Sequence, residues 1–173
     1  MQINRKLIIS VIVLIAVAIA TAFFLCNISF KCLDYLSVAE KYSKKYEVDI
    51  YLVLATIEVE SGGDNLALSR AGAVGLMQLM PDTARWVAER EGIDFCEDKL
   101  YDSEFNVMLG VAYLSYLSQK FEGTYVWCAY NAGEGVVLEW LNRGGDIEYA
   151  ETRAYVQKIG KVMKDLKDIT YLY

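Results

Sequence analysis

The sequence contains no histidine. That absence removes Ser-His-Asp and Cys-His nucleophilic catalysis of the usual kinds, and with them any His-ligated zinc site. Its four cysteines, Cys26, Cys32, Cys96 and Cys128, include no Cys-x-x-Cys pair, so a zinc ribbon has no ligands. There is one proline, Pro81, and no long alternating apolar–polar run, which argues against a sheet-built fold. Basic charge is also scarce, with 17 basic side chains against 23 acidic. Arg5 and Lys6 are the only charged residues among the first 30, so the rest of the chain is more acidic still. A nucleic-acid partner needs a basic footprint, and this chain offers none. An acidic stretch around Asp94, Glu97 and Asp98 lacks the spacing of a calcium loop and reads as solvated surface.

What is present begins with an uncharged run from Leu7 to Cys26, in which only Ser10 and Thr21 are polar. As a helix rising 1.5 Å per residue, such a run is about 30 Å long, the thickness of a bilayer core. The basic pair in front of it favours an N-terminus held inside and a body held outside. The expectation is a transmembrane anchor over residues 1–30 and an extracytoplasmic domain over 31–173, at the cell membrane. The alternative is a signal peptide cut near Ala20-Thr21-Ala22, giving a secreted protein. The run is longer than a usual signal core, and Phe23, Phe24 and Leu25 carry it past that site.

The body reads as one mainly α domain. Periodicity and punctuation predict helices over 36–46, 50–61, 82–90, 104–121, 125–131, 134–141 and 149–168. Asp49 is the expected cap of the second and Ser103 of the fourth. The stretch from Gly62 to Val74 reads as a loop or small hairpin, 95–102 as an acidic loop, and Gly144-Gly145 as a turn. Trp86, Trp127 and Trp140 read as core residues. Export makes oxidation possible, and Cys96 with Cys128 is the expected pair, against a buried free thiol at Cys128.

One helix carries an anomaly. Residues 50–61 are apolar nearly all round, yet they include Glu58 and Glu60. A helix of that kind is buried. A carboxyl there loses hydration, which disfavours its charged form and raises its pKa. A glycosidase acid needs a carboxyl that keeps its proton near neutrality. The two glutamates lie about 200° apart round the helix, so both cannot face one cleft. Periodicity leaves open which of them does so, or whether Glu60 is an ordinary helix-end charge.

Three further motifs follow in order. They are Gly75-Leu76-Met77-Gln78, Ala129-Tyr130-Asn131-Ala132-Gly133 and Glu151-Thr152-Arg153-Ala154-Tyr155-Val156. With Glu60-Ser61 they resemble the catalytic domain of the SLT-type lytic transglycosylases, relatives of goose-type lysozyme. The resemblance runs from about Lys31 to Lys167. It implies a lysozyme-like α-rich fold and a site that cuts peptidoglycan between N-acetylmuramic acid and N-acetylglucosamine without metal or cofactor. It implies Glu60 as the catalytic acid, because the family's glutamate is followed by serine. It implies Ser69, Gln78, Met80, Tyr130 and Glu151 as substrate contacts. Ser61, Gly75, Asn131, Arg153 and Tyr155 fall on structural positions of the motifs. Met80 stands where goose-type lysozymes resemble one another in an aspartate that helps position water, which favours ring closure over hydrolysis. The expected partners are peptidoglycan glycan strands and, through the N-terminal helix, the membrane. A hydrolytic muramidase and a catalytically silent wall-binding scaffold are the alternatives.

Overall fold

The computed structural model describes residues 9–17 and 30–170. The chain divides into two units, Met1–Phe30 and Lys31–Tyr173. In the first, residues 9–17 are helical (α1). Most of the Leu7–Cys26 run expected to span a membrane lies outside the described residues. Among those described, no helix is long and apolar enough to cross one.

The second unit is mainly α, as expected. It contains α2 (Leu36–Tyr46), α3 (Ile50–Ser61), α4 (Pro81–Glu91), α5 (Ser103–Ser118), α6 (Thr124–Ala132), α7 (Glu134–Asn142) and α8 (Ala150–Thr170). Two short 3₁₀ helices, η1 (Lys31–Tyr35) and η2 (Glu97–Tyr101), join them. Between α3 and α4, isolated antiparallel bridges pair Leu68 with Val74 and Val74 with Leu79.

Two apolar helices form the centre. In α3, Leu52 to Ile57 are all buried. In α5, Val107, Leu109, Val111, Leu114 and Leu117 are buried to within 1% of full coverage. Each such leucine stabilises the fold by about 1.5–3 kcal/mol relative to exposure. Around this centre, α3 packs on α2, α8 and η1, while α5 packs on α2, α4, α6 and η2. The outer helices α2 and α8 bury one face and present lysine-rich polar faces to water.

Helix ends follow local chemistry. The Asp49 carboxylate accepts the Tyr51 N–H at 2.8 Å and starts α3, as expected. Gly62 and Gly92 end α3 and α4 in the left-handed conformation. At α5 the expectation is corrected. Asp102, one residue before Ser103, accepts the Phe105 N–H at 2.8 Å, and the helix stops at Ser118. The acidic stretch expected to be a loop winds into η2, because Leu100 is fully buried beneath it.

Two other expectations are corrected. Cys96 and Cys128 form no bridge; Cys128 is buried on α6 while Cys96 is exposed ahead of η2, and both are free thiols. Trp140 is buried and Trp127 partly so, but Trp86 is 39% exposed.

Candidate functional site

Glu60 is the last residue but one of α3, where that buried helix reaches the surface. Its carboxyl Oε1 accepts a hydrogen bond of 2.8 Å from the Tyr155 hydroxyl, which arrives from α8, 95 residues further along the chain. Burial raises the Glu60 pKa from 4.5 to about 7, against a smaller lowering by the Tyr155 hydrogen bond. A carboxyl poised there carries a proton near neutrality and gives it up readily.

Tyr130, on α6, is the third member of the cluster. Its hydroxyl donates to the Met77 carbonyl at 2.8 Å. Burial holds its phenol well above the usual range, and the charge of Glu60 adds to the effect. Tyr155 behaves alike, for the same two reasons in the same order. Two phenols that resist ionisation therefore sit beside one carboxyl that also resists it. Tyr155→Phe is expected to raise the Glu60 pKa further, because the lost hydrogen bond favours the ionised form. Titrating isotope-labelled glutamate by NMR checks this; an unchanged or lowered value would separate Tyr155 from the carboxyl.

Glu58 does not share the site. Its carboxylate accepts the Cys32 N–H at 3.0 Å and ties η1 to α3. It also helps burial raise the Cys32 thiol pKa to about 12.

Beside Tyr130 lies a cavity of about 250 Å³, lined in part by Gln78, Met80, Thr83, Tyr113 and Asn131. No carboxylate lines it. The loop that supplies Gln78 is built on one buried side chain, Asn106 of α5. The Asn106 amide accepts the Met77 N–H at 2.8 Å and donates to the carbonyls of Val74 at 2.9 Å and Leu100 at 2.8 Å. Gln78 itself has a positive φ of 46°, which costs on the order of 1 kcal/mol for a residue with a side chain. Its amide nitrogen donates to Gly75 at 2.9 Å and Ala67 at 3.2 Å. Both amide hydrogens are thus spent inside the loop, which leaves the side-chain carbonyl oxygen as the group available to accept a hydrogen bond.

The remaining motif residues are structural or peripheral. Ser61 Oγ donates to the Ile57 carbonyl and accepts the Gly63 N–H, closing α3. Asn131 Oδ1 accepts from the Thr152 hydroxyl at 2.9 Å and joins α6 to α8. Arg153 does not pair with Glu151; its guanidinium donates to the Ile147 and Glu148 carbonyls and pins the loop before α8. Glu151 is exposed in the first turn of α8. Ser69 closes the tip of the bridged loop, its hydroxyl accepting the Ala73 N–H at 2.9 Å. Neither Ser69 nor Glu151 lines the cavity beside Tyr130. Asp64, exposed, caps its own turn by accepting the Leu66 N–H.

Sequence reasoning missed Asn106, Thr83 and Tyr113. Asn106 left one trace, a lone amide in the apolar run that fills most of α5.

Comparison with known proteins matches residues 37–152 to the family described as "Transglycosylase SLT domain". The soluble lytic murein transglycosylase of Escherichia coli K12 is 33% identical over 141 residues, covering 73% of this chain and 22% of that protein. The membrane-bound lytic murein transglycosylase C of Actinobacillus pleuropneumoniae serotype 5b is 35% identical over 125 residues, covering 65% of this chain and 34% of the relative. Among solved structures, the lytic transglycosylase Slt of Pseudomonas aeruginosa superposes with a TM-score of 0.70 at 32% identity, covering 73% of this chain and 23% of that one. That structure is of an inactive mutant in which a glutamate is replaced by glutamine. The chain thus spans between about a fifth and a third of the length of these relatives.

Proposed function

The chain belongs to the transglycosylase SLT domain family, and from that premise we propose that it is a lytic transglycosylase of peptidoglycan. The observation that carries this reading is the carboxyl of Glu60, whose pKa burial raises to about 7 and which the Tyr155 hydroxyl holds.

Glu60 donates its proton to the oxygen linking N-acetylmuramic acid to N-acetylglucosamine. The bond from C1 to that oxygen breaks, and the N-acetylglucosamine chain leaves with a hydroxyl. Positive charge gathers at C1 of the muramoyl unit and is shared with its own acetamido oxygen. Glu60, now a carboxylate, takes the proton from the muramoyl 6-hydroxyl, whose oxygen bonds to C1. The ring closes as a 1,6-anhydro sugar and Glu60 ends protonated, ready for another cycle. Tyr155 orients the carboxyl and favours its ionised half-cycle. Tyr130, the Gln78 carbonyl and Met80 contact the glycan, with Ser69 and Glu151 meeting it further out.

Two features favour ring closure over hydrolysis. Met80, which is 43% exposed, can neither orient nor deprotonate water. A retaining or inverting hydrolase uses a pair of carboxyls, and the two carboxylates nearest Glu60 along the chain, Glu58 and Asp64, are committed to the Cys32 and Leu66 N–H groups. Digestion of purified cell wall is expected to release muropeptides with anhydro ends, one water lighter than hydrolysed ends and inert to borohydride. Mainly reducible ends in the mass spectrum would replace this reading with a muramidase, and no release at all with a silent binding domain.

The Leu7–Cys26 run further supports a membrane anchor with the domain on the extracytoplasmic side. Cell fractionation with protease accessibility tests this placement; a protein found free in the medium without residues 1–22 would overturn it.

A further inference from the structure

Thr83 and Tyr113 are shared walls. On one side they line the cavity beside Tyr130; on the other they line an open groove of about 420 Å³ with Asp82, Trp86, Tyr116 and Glu134. That volume lies within the range of small-ligand sites, roughly 300–1,000 Å³. The rings cluster between the two, with Trp86 also edge-on to Tyr113 at 6.4 Å. Tyr130 and Tyr113 have centroids 5.5 Å apart, Tyr113 stacks on Tyr116 at 6.2 Å, and Trp86 meets Tyr116 edge-on at 4.7 Å. On α4 the buried residues are Ala84, Val87 and Ala88, whereas the indole at 86 packs edge-on against Tyr113 and Tyr116 and still stands 39% exposed.

Of the two carboxylates at this groove, Glu134 is already matched. Glu134 accepts from Lys120 at 2.5 Å and from the Tyr116 hydroxyl at 2.7 Å. Lys120 and Arg90 sit over the Tyr116 ring at 4.6 and 5.0 Å, and Arg90 lies 5.9 Å from the Trp86 ring. A cationic side chain would find the Tyr116 ring already covered by Lys120 and Arg90 and Glu134 neutralised. A neutral pyranose ring would find a flat indole and the polar groups of Asp82 and Thr83 for its hydroxyls.

We propose that the groove between α4, α5 and α7 is a second saccharide subsite, in which Trp86 stacks on a sugar ring of the strand held at Glu60. This rests on the glycan reading of the cleft. It makes Trp86 a determinant of how long a strand the domain grips.

The test uses the peptide-free hexamer of N-acetylglucosamine and a non-cutting Glu60→Gln background, so binding is read apart from cleavage. In the NMR spectrum the indole N–H peak of Trp86, assigned by its loss in Trp86→Phe, is expected to move as the hexamer saturates. Trp86→Ala is expected to weaken hexamer affinity roughly tenfold, the scale of one aromatic stacking contact, and Trp86→Phe less. Thermal melts of both variants verify folding. A Trp86 peak that stays in place at saturation, or a Trp86→Ala affinity within twofold of the parent, overturns the subsite. So does hexamer binding too weak to measure in a protein that cuts cell wall. Hexamer binding at Trp86 in a protein that cuts nothing keeps the subsite and removes the catalytic reading.

Discussion

Glu60→Gln is expected to stop wall cutting and, above neutral pH, to make the domain more stable. The first effect follows from chemistry. Glutamine keeps the shape of the side chain and its acceptor for the Tyr155 hydroxyl, but it has no proton to give. General acid catalysis is worth about 10²–10⁴-fold, and here the same group also serves as base, so the loss should lie at the upper end. The second effect follows from linkage. The folded protein binds the Glu60 proton with a pKa of about 7, against 4.5 for the unperturbed carboxyl. Below pH 4.5 the carboxyl is protonated in both states and costs nothing. Between 4.5 and 7 the unfolded chain loses the proton first, so stability falls as pH rises. Above 7 the full penalty is present, about 2 kcal/mol once some solvent access to the site is allowed for. Glutamine never carries that charge. Urea unfolding at pH 4 and pH 8 should therefore show the variant near wild type at the lower pH and more stable at the higher. A variant less stable than wild type at pH 8 would mean that Glu60 is not desolvated, and the acid assignment would fall with it. Wild-type activity should decline through the same window near pH 7, as the proton needed for the first step is lost. A rate still climbing at alkaline pH would contradict this.

This trade between stability and chemistry was visible in the sequence only in outline. The apolar run of α3 made the burial of a carboxyl legible, and Asp49 and Gly62 marked the ends of that helix correctly. The groups that tune the carboxyl lie far away along the chain. Tyr155 was legible as a motif residue of architectural type, yet it makes the hydrogen bond to Glu60 across 95 residues. Nothing in a helix-period pattern reveals which distant phenol a carboxyl will meet. Gln78 was legible as a cleft residue, but a positive φ and two hydrogen bonds within its own loop turn its donors away from any ligand. Ser103 and Asp102 are adjacent and equally able caps, so the choice between them waits on the path of the incoming chain. Trp86 read as core because most tryptophans are; its indole instead packs edge-on against Tyr113 and Tyr116 at the surface.

Gly75→Ala is expected to be the most damaging small substitution in the loop that builds the cavity, while Gly72→Ala, three residues earlier, should be mild. Both glycines have positive φ, 77° and 92°, so both variants carry a similar backbone penalty of about 1 kcal/mol. Their surroundings differ. A Cβ at Gly72 meets nothing within 4 Å. A Cβ at Gly75 falls 2.4 Å from the Asn106 amide nitrogen and 2.4 Å from the Leu100 carbonyl oxygen. Those two atoms hydrogen-bond to each other at 2.8 Å. Neither is free to give way, since Asn106 is fully buried on α5 and also holds Val74 and Met77. Moving it leaves buried backbone groups without partners, at about 1–3 kcal/mol each. The expected cost is about 4 kcal/mol for Gly75→Ala against about 1 for Gly72→Ala. Met77 lies on the same loop and its carbonyl holds the Tyr130 hydroxyl, so the damage should reach the site. Any folded fraction of Gly75→Ala should lose glycan affinity, while Gly72→Ala keeps it. Thermal melts and binding of the N-acetylglucosamine hexamer measure the two effects. Equal costs for the two glycines would show that backbone conformation alone, rather than the Asn106 peg, holds Gln78 and Tyr130 in register.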